Sequence, residues 1–484
     1  MPEQQRAATG VSGLDDVLNG GLLSNRLYLI EGMPGSGKTT LAFQFLLEGV
    51  RNGERVLYVT LSETEEEIRA VADSHGWKLD GVAIRELVPA GALEPAEQYT
   101  VFHPSEVELT ETTKRILEDV DAIKPTRLVF DSLSELRLLA GSALRYRRQI
   151  LALKQYFAGR HCTVLLLDDL TGHDHDLQVQ SIAHGSLLLE HHLPSFGTLR
   201  RRVSVTKYRG SEFRGGFHDY TIRPGGLEVF PRLVAAEHRR PASRHRITSE
   251  VPGLDRLLGG GLERGTSTLI TGAAGTGKST IATLFCASAA ARGEKSALFI
   301  FDESVTTLIS RMRGLGVDLV PWCEQGIITV TQVDPAELSP GELVHHIRQA
   351  VERDDVAVVV IDSLNGYLNS MPDEKFLVVQ LHELLTYLGQ NGVASMLVAA
   401  HHGLLTAHMS SPADASYLAD SVLFLRYFED AGEVKQALSV VKMRGGEHER
   451  SIREFSMRGG RITVGEPLRN YRGVLTGVPH RQDA

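Results

Sequence analysis

"GMPGSGKTT", Gly32 to Thr40, and "GAAGTGKST", Gly272 to Thr280, place glycines, a lysine and a hydroxyl residue at the same spacing twice in one chain. Both satisfy the pattern GxxxxGK[ST], follow an apolar run and open a helical one. In the first, Gly32, Gly35 and Gly37, with Ser36, let backbone N–H groups turn inward around phosphate oxygens, where a Cβ would obstruct. Lys38 places a charge on the terminal phosphates and Thr39 offers a hydroxyl to Mg2+. Thr40 carries the loop into a helix whose positive dipole end faces the anion. Gly272, Gly275, Thr276, Gly277, Lys278, Ser279 and Thr280 supply the same parts again. The expected chemistry is binding of a triphosphate, ATP with Mg2+, at two places.

Hydrolysis asks for carboxylates as well. Asp131 and Asp362 end apolar strands, where an acid reaches Mg2+ through its water shell. A further acid must orient or deprotonate the attacking water. Glu63 in "TLSETEEEI" and Asp302 with Glu303 in "FIFDESVTTL" stand where that acid is needed, and Asp302 is also a candidate on the metal side. The halves differ here, because the first has Ser62 beside its single acid. Glu65, Glu66 and Glu67 read as the acids that an exposed helix N-terminus favours. "KYRG" supplies Lys207, Arg209 and Gly210, and "KMRG" supplies Lys442, Met443, Arg444 and Gly445. Cations so far along the chain from the glycine loop suit a neighbouring subunit's nucleotide. An arginine delivered that way is worth roughly 10³ to 10⁵ in rate. The histidine pairs at 173 and 175, 191 and 192, 345 and 346, and 401 and 402 have no cysteine nearby to complete a zinc set, so no metal other than Mg2+ is expected.

The elements that must position these residues occur twice. "GVSGLDDVLNGGL" (Gly10 to Leu22) returns as "EVPGLDRLLGGGL" (Glu250 to Leu262), and Lys38 and Lys278 stand 240 positions apart, as do Gly13 and Gly253. "ERVLYVTLSE", "RLVFDSLSEL" and "VTKYRGSEFRGGF" are answered in the same order by "EKSALFIFDE", "VVVIDSLNGY" and "VVKMRGGEHERSI". The chain is therefore a tandem duplication. Short β-branched apolar runs alternating with helical stretches predict two α/β domains, each a mainly parallel sheet flanked by helices. "SLLLEHHLPSFGTLRRRVSVTKYRG" predicts antiparallel strands added at one edge. The expected domains are 1–236 and 249–484, and the polar stretch 237–248 reads as a linker.

With these motifs placed, the chain resembles the KaiC family, the two-domain RecA-like ATPases of circadian clocks. The likeness covers nearly the whole chain and is most specific in "GLDDVLNGGL", both glycine loops and "VVKMRGGEHERSIREF". It implies tandem P-loop domains in a homohexameric double ring, with ATP at subunit interfaces. It further implies slow hydrolysis in the first ring, and Ser/Thr autokinase and autophosphatase activity in the second, in a signalling or timing role. Carried over by residue, it supports Glu63 as the hydrolytic acid, and Asp302 and Glu303 as general base and Mg2+-linked acid. Lys207, Arg209, Lys442 and Arg444 match the family's trans-acting cations, and His448 falls near that interface. The phosphoacceptor pair maps onto Ser416 and Tyr417, the second an aromatic residue where a threonine would stand. The segment "NYRGVLTGVPHRQDA" replaces a longer tail, which speaks against the partner recruited by that tail.

Other functions compete less well. A DNA motor wants basic, aromatic-rich loops, whereas "TGHDHDLQVQS" and "HHGLLTAHMSSPADAS" carry no Lys, Arg or aromatic residue. A net charge of -9 likewise ill suits a phosphate-backbone binder. A nucleotide-dependent scaffold that hydrolyses little is the remaining alternative, favoured by the lone Glu63. Three scattered cysteines, no long apolar run and a polar start, "MPEQQRAATG", point to the cytoplasm and to no membrane partner.

Overall fold

The computed structural model describes residues 5–87, 104–170, 177–194, 197–238, 245–369, 377–400, 415–474 and 480–481. The chain divides into two compact units, Met1–Arg232 and Leu233–Ala484. Among the described residues each unit is built on a nine-stranded sheet. In the first unit the strands lie in the order Gly226–Phe230, Phe217–Arg223, Arg200–Tyr208, Gly185–His192, Leu27–Gly32, Thr163–Asp169, Arg127–Asp131, Val56–Thr60, Val82–Glu86. From Gly185–His192 onward all are parallel, and the first three add on as antiparallel strands. The second unit repeats the plan from Ile328–Gln332 to Arg461–Pro467, with the loop strand Ser267–Gly272 between Ala394–Ala400 and Ser421–Asp430. The expected fold, two mainly parallel sheets with antiparallel strands at one edge, is what the molecule has.

The parallel strands are apolar on both faces because both are covered. In the first unit Tyr28 and Ile30 pack with Leu41, Phe45 and Leu46 of the helix Lys38–Arg51. Leu27 and Leu29 pack on the other side with Tyr146, Ile150 and Leu153 of the helix Ala143–Phe157. Alternation along one strand thus feeds two cores. The loop helix must also approach closely: a Cβ at Gly49 would stand 2.7 Å from the Arg127 side chain. Arg127, fully buried, donates to the carbonyls of Phe45 and Ala8 and pairs with Glu54 at 2.7 Å. It pins the helix to the strand Arg127–Asp131.

Each loop sits where its strand ends and its helix starts, at the carboxyl end of the parallel array, where open α/β sheets hold ligands. Gly37 and Gly277, with φ of 93° and 99°, cap the two helices in the left-handed region that only glycine enters freely. The turn Glu65 to Glu67 opens the helix Glu65–Ser74 under a capping box from Thr64, as expected for acids at that end. Of the stretch 237–248, Glu237 closes a turn, Ala235–Glu237, whose Ala235 N–H donates to Glu383. Arg246–Ile247 pairs with Leu262–Glu263, with Ile247 buried. His173, His175, His401 and His402, and most of the two loops weighed for DNA contact, lie outside the described residues. No helix among the described residues is long and apolar enough to cross a membrane.

Candidate functional site

In the first unit the buried Lys38 Nζ donates to the carbonyls of Gly32 (2.9 Å) and Met33 (3.1 Å) and pairs with Asp169 Oδ1 at 2.7 Å. Thr39 Oγ1 donates to Asp131 Oδ2 at 2.8 Å, and Tyr58 donates to the same oxygen at 2.6 Å. Burial pushes the Asp131 carboxyl above the ordinary range, with the Tyr58 and Thr39 hydroxyls and the Lys38 charge working against it. Glu63 is half-buried beside this group, and its Oε2 has no hydrogen-bond partner among the described residues. Burial raises its pKa, helped by the charges of Asp131, Glu67 and Asp169. A carboxylate kept basic and unpaired is the state a general base needs. Thr60 holds the turn that carries it: its hydroxyl accepts from the Glu63 N–H (2.9 Å) and donates to the Glu63 carbonyl (3.0 Å).

The second unit opens a cavity of about 330 Å3 lined by Gly275, Gly277, Lys278, Asp302, Glu303 and Asp362 among others. Lys278 Nζ donates to the Ala273 carbonyl at 2.7 Å, and Thr276 Oγ1 to the same oxygen at 2.8 Å. Burial depresses the Lys278 ammonium, against the nearby charges of Asp362 and Asp302. Asp362, hydrogen-bonded by Ser279, is pushed up to about 6 by burial first and by Glu303 and Asp302 besides. Ala400 stands where the first unit has Asp169, so Lys278 meets no carboxylate there. Asp302 is exposed, whereas Glu303 is held by Arg311, whose Nη2 donates to Oε1 at 2.6 Å. The two adjacent carboxylates thus stand in different settings.

Both loops fit a phosphate chain. Among the described residues the buried Ser36 Oγ has no hydrogen-bond partner, and neither has Glu63 Oε2. Gly35 and Gly275 hold φ of 79° and 77°, and at Gly275 a Cβ would fall 2.7 Å from the Tyr427 hydroxyl. Thr39 with Asp131 and Ser279 with Asp362 are hard oxygen donors of the kind Mg2+ takes.

The KxRG cations lie elsewhere. Lys207 is opposite Ser186, which is level with Leu29 on the loop strand, so the motif marks the amino end of the array and the loop the carboxyl end. Lys207 Nζ donates to the carbonyls of Gln180 (2.5 Å) and Ser181 (3.1 Å), and Arg209 Nη2 to that of Ser181 (3.4 Å). Lys442 Nζ likewise donates to the Ser416 and Ala419 carbonyls, both at 2.7 Å, and Arg444 Nη2 to that of Tyr417 at 3.2 Å. The candidate phosphoacceptors are therefore clamped by the second motif through their backbone, with Tyr417 56% exposed and its ring available. Arg26 packs against Gly210 and donates to the Arg209 carbonyl. Met443 ends the strand Glu433–Met443, Gly445 approaches Glu263, and His448 is half-buried in the loop that follows.

Tyr58, Thr60, Asp169 and Arg311 went unnoticed in the sequence. The doubled acid that ends "CTVLLLDD", on the strand beside the loop strand, was the available signal for Asp169.

A family model described as "ATPase: KaiC" matches residues 7–234 and 247–469, once per unit. The chain belongs to the KaiC family. Among KaiC proteins, it is 28% identical over 482 residues to circadian clock protein KaiC3 of Synechocystis sp., covering 98% of this chain and 94% of that one. It is 27% identical to the circadian clock oscillator protein KaiC of Picosynechococcus sp. over 99% of this chain and 93% of that one. The same protein of Synechococcus elongatus gives 27%, over 98% and 91%. The two units are thus tandem RecA-like KaiC ATPase domains, and ATP is the nucleotide the family assignment supplies for both loops.

Proposed function

We propose that this KaiC-family ATPase is a Mg2+-dependent homohexameric double ring with ATP at subunit interfaces and unlike chemistry in its two rings. The first ring hydrolyses ATP slowly. The second is a Ser/Thr-type autokinase and autophosphatase directed at Ser416 or Tyr417, and the whole acts as a signalling or timing component.

In the first ring, Glu63 accepts the proton of the attacking water as its oxygen bonds to the γ-phosphorus and ADP departs. Lys38 neutralises phosphate charge once it has exchanged Asp169 for the nucleotide. Thr39 and Asp131 would hold Mg2+, which would supply positive charge against the phosphates. In the second ring Lys278, Ser279 and Asp362 would hold the nucleotide and metal, and Asp302 takes the proton of the acceptor hydroxyl as the hydroxyl oxygen bonds to the γ-phosphorus and ADP departs. One observation carries the interfacial part of this reading. Ser416, Tyr417, Lys442 and Arg444 gather at the amino end of the parallel strands, opposite the phosphate loop of their own unit, which supports a role toward a nucleotide held by another subunit.

Intact-mass and phosphopeptide analysis after incubation with Mg2+-ATP tests the proposal. Phosphate on Ser416 or Tyr417 supports it, and an unmodified chain refutes the autokinase. A nucleotide-dependent scaffold is the second reading for the first ring, favoured by its single acid, Glu63 beside Ser62, where the second unit has Asp302 and Glu303.

A further inference from the structure

The turn that carries the acids is braced differently in the two units. In the first, Thr60 holds it through the backbone of Glu63, and Ser62 N–H also donates to the Thr60 hydroxyl at 3.3 Å. The second unit has Ile300 at that place in the strand, fully buried and without a hydroxyl. What it has in exchange is Arg311, on the helix Val305–Gly314, where the matching helix Glu65–Ser74 carries Val71. Arg311 Nη2 donates to Glu303 Oε1 at 2.6 Å and Nε to Oε2 at 3.4 Å, so the guanidinium engages both carboxylate oxygens. Its Nη1 donates at 2.7 Å to the hydroxyl of Thr280, a buried residue in the first turn of the phosphate-loop helix. The two side chains of the ion pair are only 30% and 21% exposed, and both line the nucleotide cavity. A planar guanidinium fork shared between a carboxylate and a hydroxyl fixes direction as well as distance.

We propose that Arg311 is a positioning residue of the second site, bracing the Asp302–Glu303 turn against the phosphate-loop helix in place of the missing threonine hydroxyl. By occupying Glu303, it leaves Asp302 as the acid turned to the substrate. The two units then work through carboxylates at non-equivalent positions: Glu63 in one, and in the other Asp302, which stands where the first has Ser62. The inference rests on the reading of both loops as ATP sites.

The test is a double-mutant comparison in the full-length chain carrying Glu63→Gln, so that ATP turnover reports the second unit. Arg311→Val is expected to lower kcat about tenfold, with KM for ATP within about twofold, and Arg311→Lys to recover a large part of the loss. In a chain that already carries Glu303→Gln, removing Arg311 is expected to change kcat less than about twofold, because the group it positions is gone. Equal losses with and without Glu303, or an unchanged kcat in Arg311→Val, would overturn the proposal. Arg311→Gln, closer in shape, makes the same comparison if the valine variant does not fold. Should the Glu63→Gln chain show no turnover, ATP hydrolysis in the second unit fails as a reading. The coupling between Arg311 and Glu303 is then measured as the rate of phosphate incorporation at Ser416 or Tyr417, where additive effects overturn the brace.

Discussion

Replacing Asp362 by asparagine is expected to stabilise the metal-free protein while removing a group its function needs. Burial raises this carboxyl from 3.8 to about 6, with the Ser279 hydrogen bond opposing the rise and Glu303 and Asp302 adding to it. A carboxyl raised in the folded chain favours folding in its protonated form. Its contribution is complete below the unfolded value of 3.8 and is lost as pH climbs through about 6. At about pH 8 the ionised group therefore costs about 3 kcal/mol, at about 1.4 kcal/mol for each pH unit of displacement. This is an upper figure, since the carboxyl borders the cavity. Asparagine keeps the size and an acceptor for Ser279 but carries no charge. Thermal melts in EDTA should place Asp362→Asn above the wild type at about pH 8 by up to roughly 6–12 °C. The gap should narrow toward about pH 4. With Mg2+-ATP added, the wild type should gain stability at the second loop that the variant does not. A variant that melts at or below the wild type at high pH, or a gap that persists on acidification, would refute the reasoning.

Glu63→Gln should reduce turnover in the first unit by about 10²- to 10⁴-fold, measured as phosphate release. Because burial and the neighbouring acids raise Glu63, and a base works only when ionised, first-unit turnover should fall on acidification earlier than an ordinary glutamate would dictate. Asp169→Asn frees Lys38 from its ion pair, so nucleotide affinity at the first loop should rise about 3- to 30-fold in equilibrium titrations, while the nucleotide-free chain loses stability. Tyr58→Phe deletes a buried 2.6 Å bond to Asp131 and should destabilise the first unit by about 1.5–3 kcal/mol in denaturant unfolding.

The repeat, the loops and the parallel core were legible because they are written locally. A glycine loop needs consecutive residues, and a strand buried on both faces announces itself by an unbroken apolar run such as "RLVFD" or "VVVID". The antiparallel edge was legible for the same reason, through the long β-rich stretch that follows residue 185. What stayed hidden depends on neighbours far apart in sequence. Asp169 meets Lys38 because the strand Thr163–Asp169 lies beside the loop strand, an adjacency no spacing rule states. Arg311 looks like any cation on a polar helix until its partners Glu303 and Thr280 are in place. The KxRG pairs were expected to await a neighbouring subunit. Within their own unit they already hold the segments at residues 180–181 and 416–419, which places Ser416 and Tyr417 as much as it prepares an interface. Tyr58 reads as one more apolar strand residue, yet its hydroxyl distinguishes the first site from the second, where Leu298 stands.

The most direct test of two unlike ATP sites is phosphate release by the full-length chain carrying Glu63→Gln, Asp302→Asn or both. Each single variant should keep the share of turnover belonging to the other unit, and the two residual rates should sum to that of the wild type, with the double variant near background. Turnover that survives the double substitution, or that is abolished by Glu63→Gln alone, would contradict the account.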